Sequence, residues 1–143
     1  MTPKKQDPTL KALRSVPIFS GCTDKELRDI ARMTKEVQYP EGKQICKQGQ
    51  TGLGLHVITE GETKVVINGR TRRRLGPGAF FGEMALLDNG PRSATVIAES
   101  PVSTLSLSAW DFKEGIRNHP TIALKVLEEM SKRLRETDSS LSS

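Results

Sequence analysis

The sequence predicts a mainly β fold with flanking helices (α+β): an antiparallel β-roll or jelly roll, with N-terminal helices before it and two C-terminal helices after it. Three observations carry this expectation. Ten of the 12 glycines fall between residues 42 and 90, and the pieces between them are short and strand-like, as in a sandwich or barrel. Apolar residues recur at helical spacing on either side of that stretch. The chain has 143 residues, one domain's worth, and a globule of this size buries roughly 70% of the surface its unfolded form exposes.

Residues 1–8 are polar with two prolines, and we expect them to be flexible. The domain proper is expected over 9–137. Leu10, Leu13 and Val16 mark a short amphipathic helix. A second helix is expected over "SGCTDKELRDIARMTKEV", where Thr23 and Glu26 form a capping box and Leu27, Ile30, Ala31 and Met33 supply the stripe. The β-roll is placed at about 37–108, with strands at Gln44–Lys47, Leu55–Thr59, Thr63–Ile67, Thr71–Leu75, Thr95–Ala98 and Thr104–Leu107. Asn68-Gly69 is a strong hairpin signal, and Glu60-Gly61-Glu62 a second tight turn. Ser108 caps the next helix, and the two C-terminal helices are placed at about 109–136. Pro120 separates them, and Ala123, Leu127, Met130 and Leu134 read as the apolar face of the second. Residues 138–143 are expected to be a flexible tail.

The net charge of +5 is mild, and it fits an anionic ligand, nucleic acid or an acidic surface. Its densest cluster, Arg70, Arg72, Arg73 and Arg74, reads as a solvated edge strand rather than a nucleic-acid patch. Cys22 and Cys46 form no CxxC and read as free thiols. His56 and His119 have no Glu or Cys at metal-ligand spacing, so no metal and no cofactor are expected. No apolar run approaches the ~18 residues of a membrane span, and a cytoplasmic protein is expected.

The stretch "FGEMALLDNGPRSATV", Phe81 to Val96, carries the chemistry. A short helix starting at Glu83 leaves backbone N–H groups unpaired at its start, where an anion can sit. Gly82 and Ala85 leave room for its approach. Asp88 to Pro91 turn the chain, returning Arg92, whose guanidinium fork suits two phosphate oxygens. Glu83 accepts hydrogen bonds and donates none, so it belongs in such a place only if the ligand also carries hydroxyls. The competing reading is a plain Glu83–Arg92 salt bridge under a loop.

The pattern F-G-E-M-A-L-L-x-x-x-P-R-S-A-T-V resembles the phosphate-binding cassette of cyclic nucleotide-binding domains. The likeness covers nearly the whole chain: "LRSVPIFSGCTDKELRDIA" is similar to the family's N-terminal helices, "YPEGKQICKQGQTGLGLHVITEGE" to its first strands, and Ser108 to Glu136 to its last two helices. Gln50 departs from it, standing where the family often has an acid.

The resemblance implies that Glu83 holds the ribose 2′-OH and Arg92 neutralises the cyclic phosphate. Phe81, the backbone at Gly82, Met84 and Ala85, the Ser93 hydroxyl and Ala94 would complete the pocket. Arg133 would stack on the purine from the last helix, with Met130 and Leu134 as rival lids. The ligand implied is cAMP, with cGMP as the alternative, because serine after the arginine is compatible with either.

The function expected is therefore a non-catalytic cyclic nucleotide-binding regulatory module whose last helix closes as a lid and signals to an effector protein. No catalytic residues are assigned. A DNA-binding regulator of the catabolite-activator type needs a helix-turn-helix after the long helix. Only seven residues follow Glu136, so we expect none, and nucleic acid is not an expected partner. The regulatory part of a larger effector is the other alternative. The last helix could also serve as the seam of a homodimer.

Overall fold

The computed structural model of this chain describes residues 8–51, 54–88 and 90–142. The expectation for residues 1–7 lies outside them. Helix α1 (Pro8–Arg14) opens on a proline, whose missing N–H costs nothing in a first turn, and it buries Leu10 and Leu13. A 3-10 turn at Pro17–Phe19 follows, burying Ile18 and Phe19. Helix α2 (Asp24–Met33) forms with the expected reciprocal cap: Glu26 N–H donates to Thr23 Oγ1 at 3.1 Å and Thr23 N–H to Glu26 Oε1 at 2.8 Å.

Eight strands make two antiparallel sheets: β1 (Lys35–Tyr39), β2 (Gln44–Cys46), β3 (Gly54–Glu60), β4 (Thr63–Ile67), β5 (Arg70–Leu75), β6 (Phe80–Phe81), β7 (Thr95–Ala98) and β8 (Val102–Ser108). Their orders are β1-β8-β3-β6 and β2-β7-β4-β5. The β4–β5 hairpin turns on Asn68 (φ 51°) and Gly69 (φ 80°), the two left-handed residues a tight hairpin of this hand requires. Helices α3 (Ala109–Asn118) and α4 (Pro120–Ser142) close the chain. Ser108 caps α3, its hydroxyl accepting from Asp111 N–H at 3.0 Å.

The first sheet is covered by the helices on one face and by the second sheet on the other. Leu55 and Val57 of β3 and Leu105 and Leu107 of β8 pack with α1, α2, α3 and α4 in the main core, through Leu13, Leu27, Ile30, Phe112, Ile122 and Val126. The alternate residue Ile58 faces the sheet interior with Ala98, Val102, Ile45, Leu75 and Phe81. This is the period-2 alternation of a two-sided sheet.

Four details correct the sequence reading. Lys35–Tyr39 is strand, not the end of α2: the Thr34 hydroxyl and N–H both turn back to Ala31 O, and β1 then pairs along its whole length with β8, a long-range gain that helical spacing cannot register. Phe80–Phe81 is a strand of two residues, too short to show a period. Helix α4 continues through Ser142, where a tail was expected from 138, because neither glycine nor proline follows Glu136 to stop it. Its inward residues are Ile122, Val126 and the half-buried Met130, whereas Leu127 and Leu134 are exposed.

Candidate ligand-binding site

The site is assembled by the 3-10 turn Glu83–Leu86 and the loop that brings Arg92 back beside it. Leu86 anchors the turn in the main core. Gly82 has φ 84°, and a Cβ there would run into the Arg92 guanidinium and the Gly54 carbonyl. The missing side chain thus seats the arginine directly, where the sequence suggested room for an anion.

Arg92 is held from both ends. Its backbone N–H donates to Gln50 O at 2.8 Å and its carbonyl accepts from Gly49 N–H at 2.9 Å, while Thr51 bridges Pro91. Gln50 therefore takes part through its backbone, which an acid or an amide supplies equally. Arg92 is only 9% exposed, and its Nη2 donates to Gly54 O at 2.5 Å. Its Nε is buried with no hydrogen-bond partner.

Glu83 is the counterpart. Its Oε2 is likewise buried without a hydrogen-bond partner. The nearest cation, Arg133 Nη1 from α4, stands 3.6 Å away. Among the described residues there is no Glu83–Arg92 ion pair, so the plain salt-bridge reading is not what the chain does.

Both groups line one cavity of about 560 Å³, inside the usual range for small-molecule sites. Phe81, Gly82, Ala85, Ser93 and Ala94 line it too. The Met84 backbone lies in the 3-10 turn, and its side chain falls outside the described residues. Ala85 N–H donates to Gly82 O at 3.0 Å within the 3-10 turn. Arg133 does not line the cavity; it faces the carboxylate where a base-stacking role was expected. Met130 packs on the main core and Leu134 is exposed.

Two parts of the site were invisible in the sequence. The first is His56, buried behind the loop, its ring stacked on Phe81 at 4.9 Å and its Nδ1 hydrogen-bonded to Ser106 Oγ at 2.9 Å. Burial, and then the nearby Arg92 charge, push its pKa down to about 4. The ring is thus neutral near pH 7 and adds no repulsion to a buried guanidinium. The second is a row across the second sheet. Arg73 pairs with Val65, Val65 with Val96, and Val96 with Cys46, and all four line the cavity. Burial raises the Cys46 thiol pKa, and the Arg92 charge partly offsets this. Strand alternation on β4, β5 and β7 was the signal available, but it does not say which face is hollow.

Among the described residues there is no group of three or more His, Cys, Asp or Glu side chains placed to hold a metal ion. No helix among them is long and apolar enough to cross a membrane.

Residues 36–119 match the sequence model of the cyclic nucleotide-binding domain. The chain is 34% identical over 131 residues to a cyclic AMP receptor protein of Thermus thermophilus, covering 88% of this chain and 61% of that one. It is 40% identical over 109 residues to a cyclic nucleotide-gated potassium channel of Mesorhizobium japonicum, covering 76% of this chain and 30% of the channel. The chain thus spans less than two thirds of these curated relatives. The crystal structure of the N-terminal domain of a Streptomyces coelicolor transcriptional regulator superposes with a TM-score of 0.82 at 30% identity, covering 90% of this chain and 93% of that one. Fold, cassette and matches agree, and the chain belongs to the cyclic nucleotide-binding domain family.

Proposed function

We propose that this domain binds a cyclic purine nucleotide, cAMP or cGMP, without catalysing a reaction on it. One observation carries the reading: the two buried polar atoms that lack hydrogen-bond partners, Glu83 Oε2 and Arg92 Nε, belong to the same cavity. One is an acceptor and one a charged donor. Leaving either unmet costs free energy, and a sugar hydroxyl beside a phosphate meets both. Glu83 takes the 2′-OH, Arg92 the cyclic phosphate, and the Ser93 hydroxyl is a further donor at the rim. The apolar walls from Val65, Leu75, Phe80 and Val96 accommodate the base.

The signal leaves through α4. Arg133 reaches from that helix to the carboxylate that the ribose also claims, so ligand occupancy and helix position act on one group. A ligand shifts such an equilibrium only by its differential affinity for the two helix positions. The receiver is an effector protein or a second copy of this chain. Calorimetric titration with cAMP, cGMP and 5′-AMP tests the reading. At least one cyclic ester is expected to bind with 5′-AMP much weaker; equal binding of 5′-AMP, or no binding of either cyclic ester, refutes it.

A further inference from the structure

Among the described residues Arg92 hydrogen-bonds to the chain at three points, and all three lie within residues 49–54. Its N–H donates to Gln50 O, its carbonyl accepts from Gly49 N–H, and its Nη2 donates to Gly54 O. The Gln50 side chain gives Arg92 no hydrogen bond. Arg92 is therefore only as well placed as the backbone of this one segment.

Gln48 ties the segment down. Its N–H donates to Thr95 Oγ1 at 2.9 Å. Its carboxamide reaches across to the turn of the β4–β5 hairpin, where Oε1 accepts from Asn68 N–H at 2.9 Å and Nε2 donates to Asn68 Oδ1 at 2.9 Å. Both halves of the amide are matched, and the backbone N–H, which can only donate, fixes which half faces it. Asn68 is also, among the described residues, the one non-glycine with positive φ, at 51°. Glycine meets such a dihedral without strain, but glycine would offer Gln48 no acceptor. The same hairpin supplies Val65, Arg73 and Leu75 to the cavity lining. The Gln48–Asn68 clamp thus joins that wall of the cavity to the segment that carries Arg92.

We propose that Gln48 is a positioning residue for Arg92: with Asn68 it fastens the loop at 47–51, so that the guanidinium already stands where the phosphate needs it in the empty domain. This rests on the cyclic nucleotide reading of the cavity. Gln48 does not itself line the cavity. It acts by keeping the competent loop populated, and apparent affinity falls by whatever fraction of that population is lost. Two neutral hydrogen bonds at a partly exposed place correspond to about fivefold.

The test is calorimetric titration with cAMP and cGMP of the whole chain, Gln48→Ala, Asn68→Gly, the double variant and Asn68→Asp, together with amide hydrogen exchange followed by NMR. Gln48→Ala and Asn68→Gly are each expected to bind about fivefold more weakly than the parent. The double variant should bind no more weakly than either single one, because the clamp can be lost only once. Asn68→Asp keeps the backbone N–H and a side-chain acceptor, and is expected to rescue the affinity that Asn68→Gly loses. In Gln48→Ala the Gly49 and Arg92 amides should exchange faster while those of the β1–β8 ladder keep the parent rate, a pattern that general destabilisation does not give. The inference is overturned if Gln48→Ala binds within about twofold of the parent, if the two single losses multiply in the double variant, if Asn68→Asp binds as weakly as Asn68→Gly, or if the Arg92 amide exchanges at the parent rate. Failure of both cyclic esters with the unaltered chain would instead remove the reading of the whole cavity, and the exchange measurement would still decide whether Gln48 holds Arg92.

Discussion

Replacing Arg92 by alanine separates a binding role from a structural one, because the two act in opposite directions on the empty protein. Among the described residues the guanidinium makes one hydrogen bond, to Gly54 O. Losing it costs about 1 kcal/mol of stability. Against this, the substitution removes a buried charge whose Nε has no partner, which is itself unfavourable in the empty fold. The melting temperature of the empty variant should therefore stay within about 4 °C of the parent, at a few degrees per kcal/mol for a chain of this size.

With nucleotide the outcome differs sharply. Two charge-assisted bonds to the phosphate contribute roughly 3–6 kcal/mol together, a loss of at least about a hundredfold in affinity. At a nucleotide concentration a hundred times the parent Kd, ligand stabilisation is about 2.7 kcal/mol for the parent, and falls to about 0.4 kcal/mol for a variant weakened a hundredfold. Thermal melts with and without nucleotide, backed by calorimetry, measure both quantities. Affinity within threefold of the parent would refute the phosphate role. A drop of ten degrees or more in the empty protein would show the arginine to be a structural strut.

Three further outcomes are expected. The parent should bind the 2′-deoxy form of its cyclic nucleotide at least about tenfold more weakly than the ribo form, and Glu83→Ala should erase that ratio; an unchanged ratio in the variant removes Glu83 from the ribose. Gly82→Ala should abolish binding, because its Cβ displaces the Arg92 guanidinium, whereas Gly78→Ala, at φ 91° with open space around it, should bind normally although its backbone strain is similar, about 1–2 kcal/mol; equal binding by both variants would sink the steric argument. Finally, His56 titrates at about 4 in the fold against 6.5 ordinarily, so its neutral form is favoured by folding: the stabilisation is complete above pH 6.5 and is lost as pH falls from there toward 4. The loss is on the order of 3 kcal/mol, and chemical denaturation of parent and His56→Gln across that window should show the variant's stability flatter by one proton; parallel curves would refute it.

How much of this the sequence disclosed depends on the range of the interaction involved. Local chemistry was readable. The Thr23–Glu26 capping box, the Ser108 cap and the Asn68-Gly69 turn are each settled within four residues and stand as expected. The cassette was readable for the same reason, with Glu83 and Arg92 close together in the chain and in the cavity. What escaped was decided across the fold. Strand β1 exists because β8, some 70 residues on, pairs with it. Gly82 looked like space for a ligand, and only the returning Arg92 shows whose space it is. His56 gave no local sign that it would lie against Phe81. The inward face of α4 was read from Leu127 and Leu134, but packing took Ile122 and Val126, which meet the main core. Periodicity finds a stripe; which of two overlapping stripes faces inward is set by what waits opposite.

Val65 and Val96 are 6% and 2% exposed, yet neither belongs to the two packed clusters; both border the cavity. The two valines thus face a hollow of the sandwich, and under the proposed function the nucleotide base packs against them. A hollow of this kind sets robustness against responsiveness. Under the proposed function, enlarging Val96 would harden the domain and weaken nucleotide binding, so smallness at these two wall positions serves the cavity.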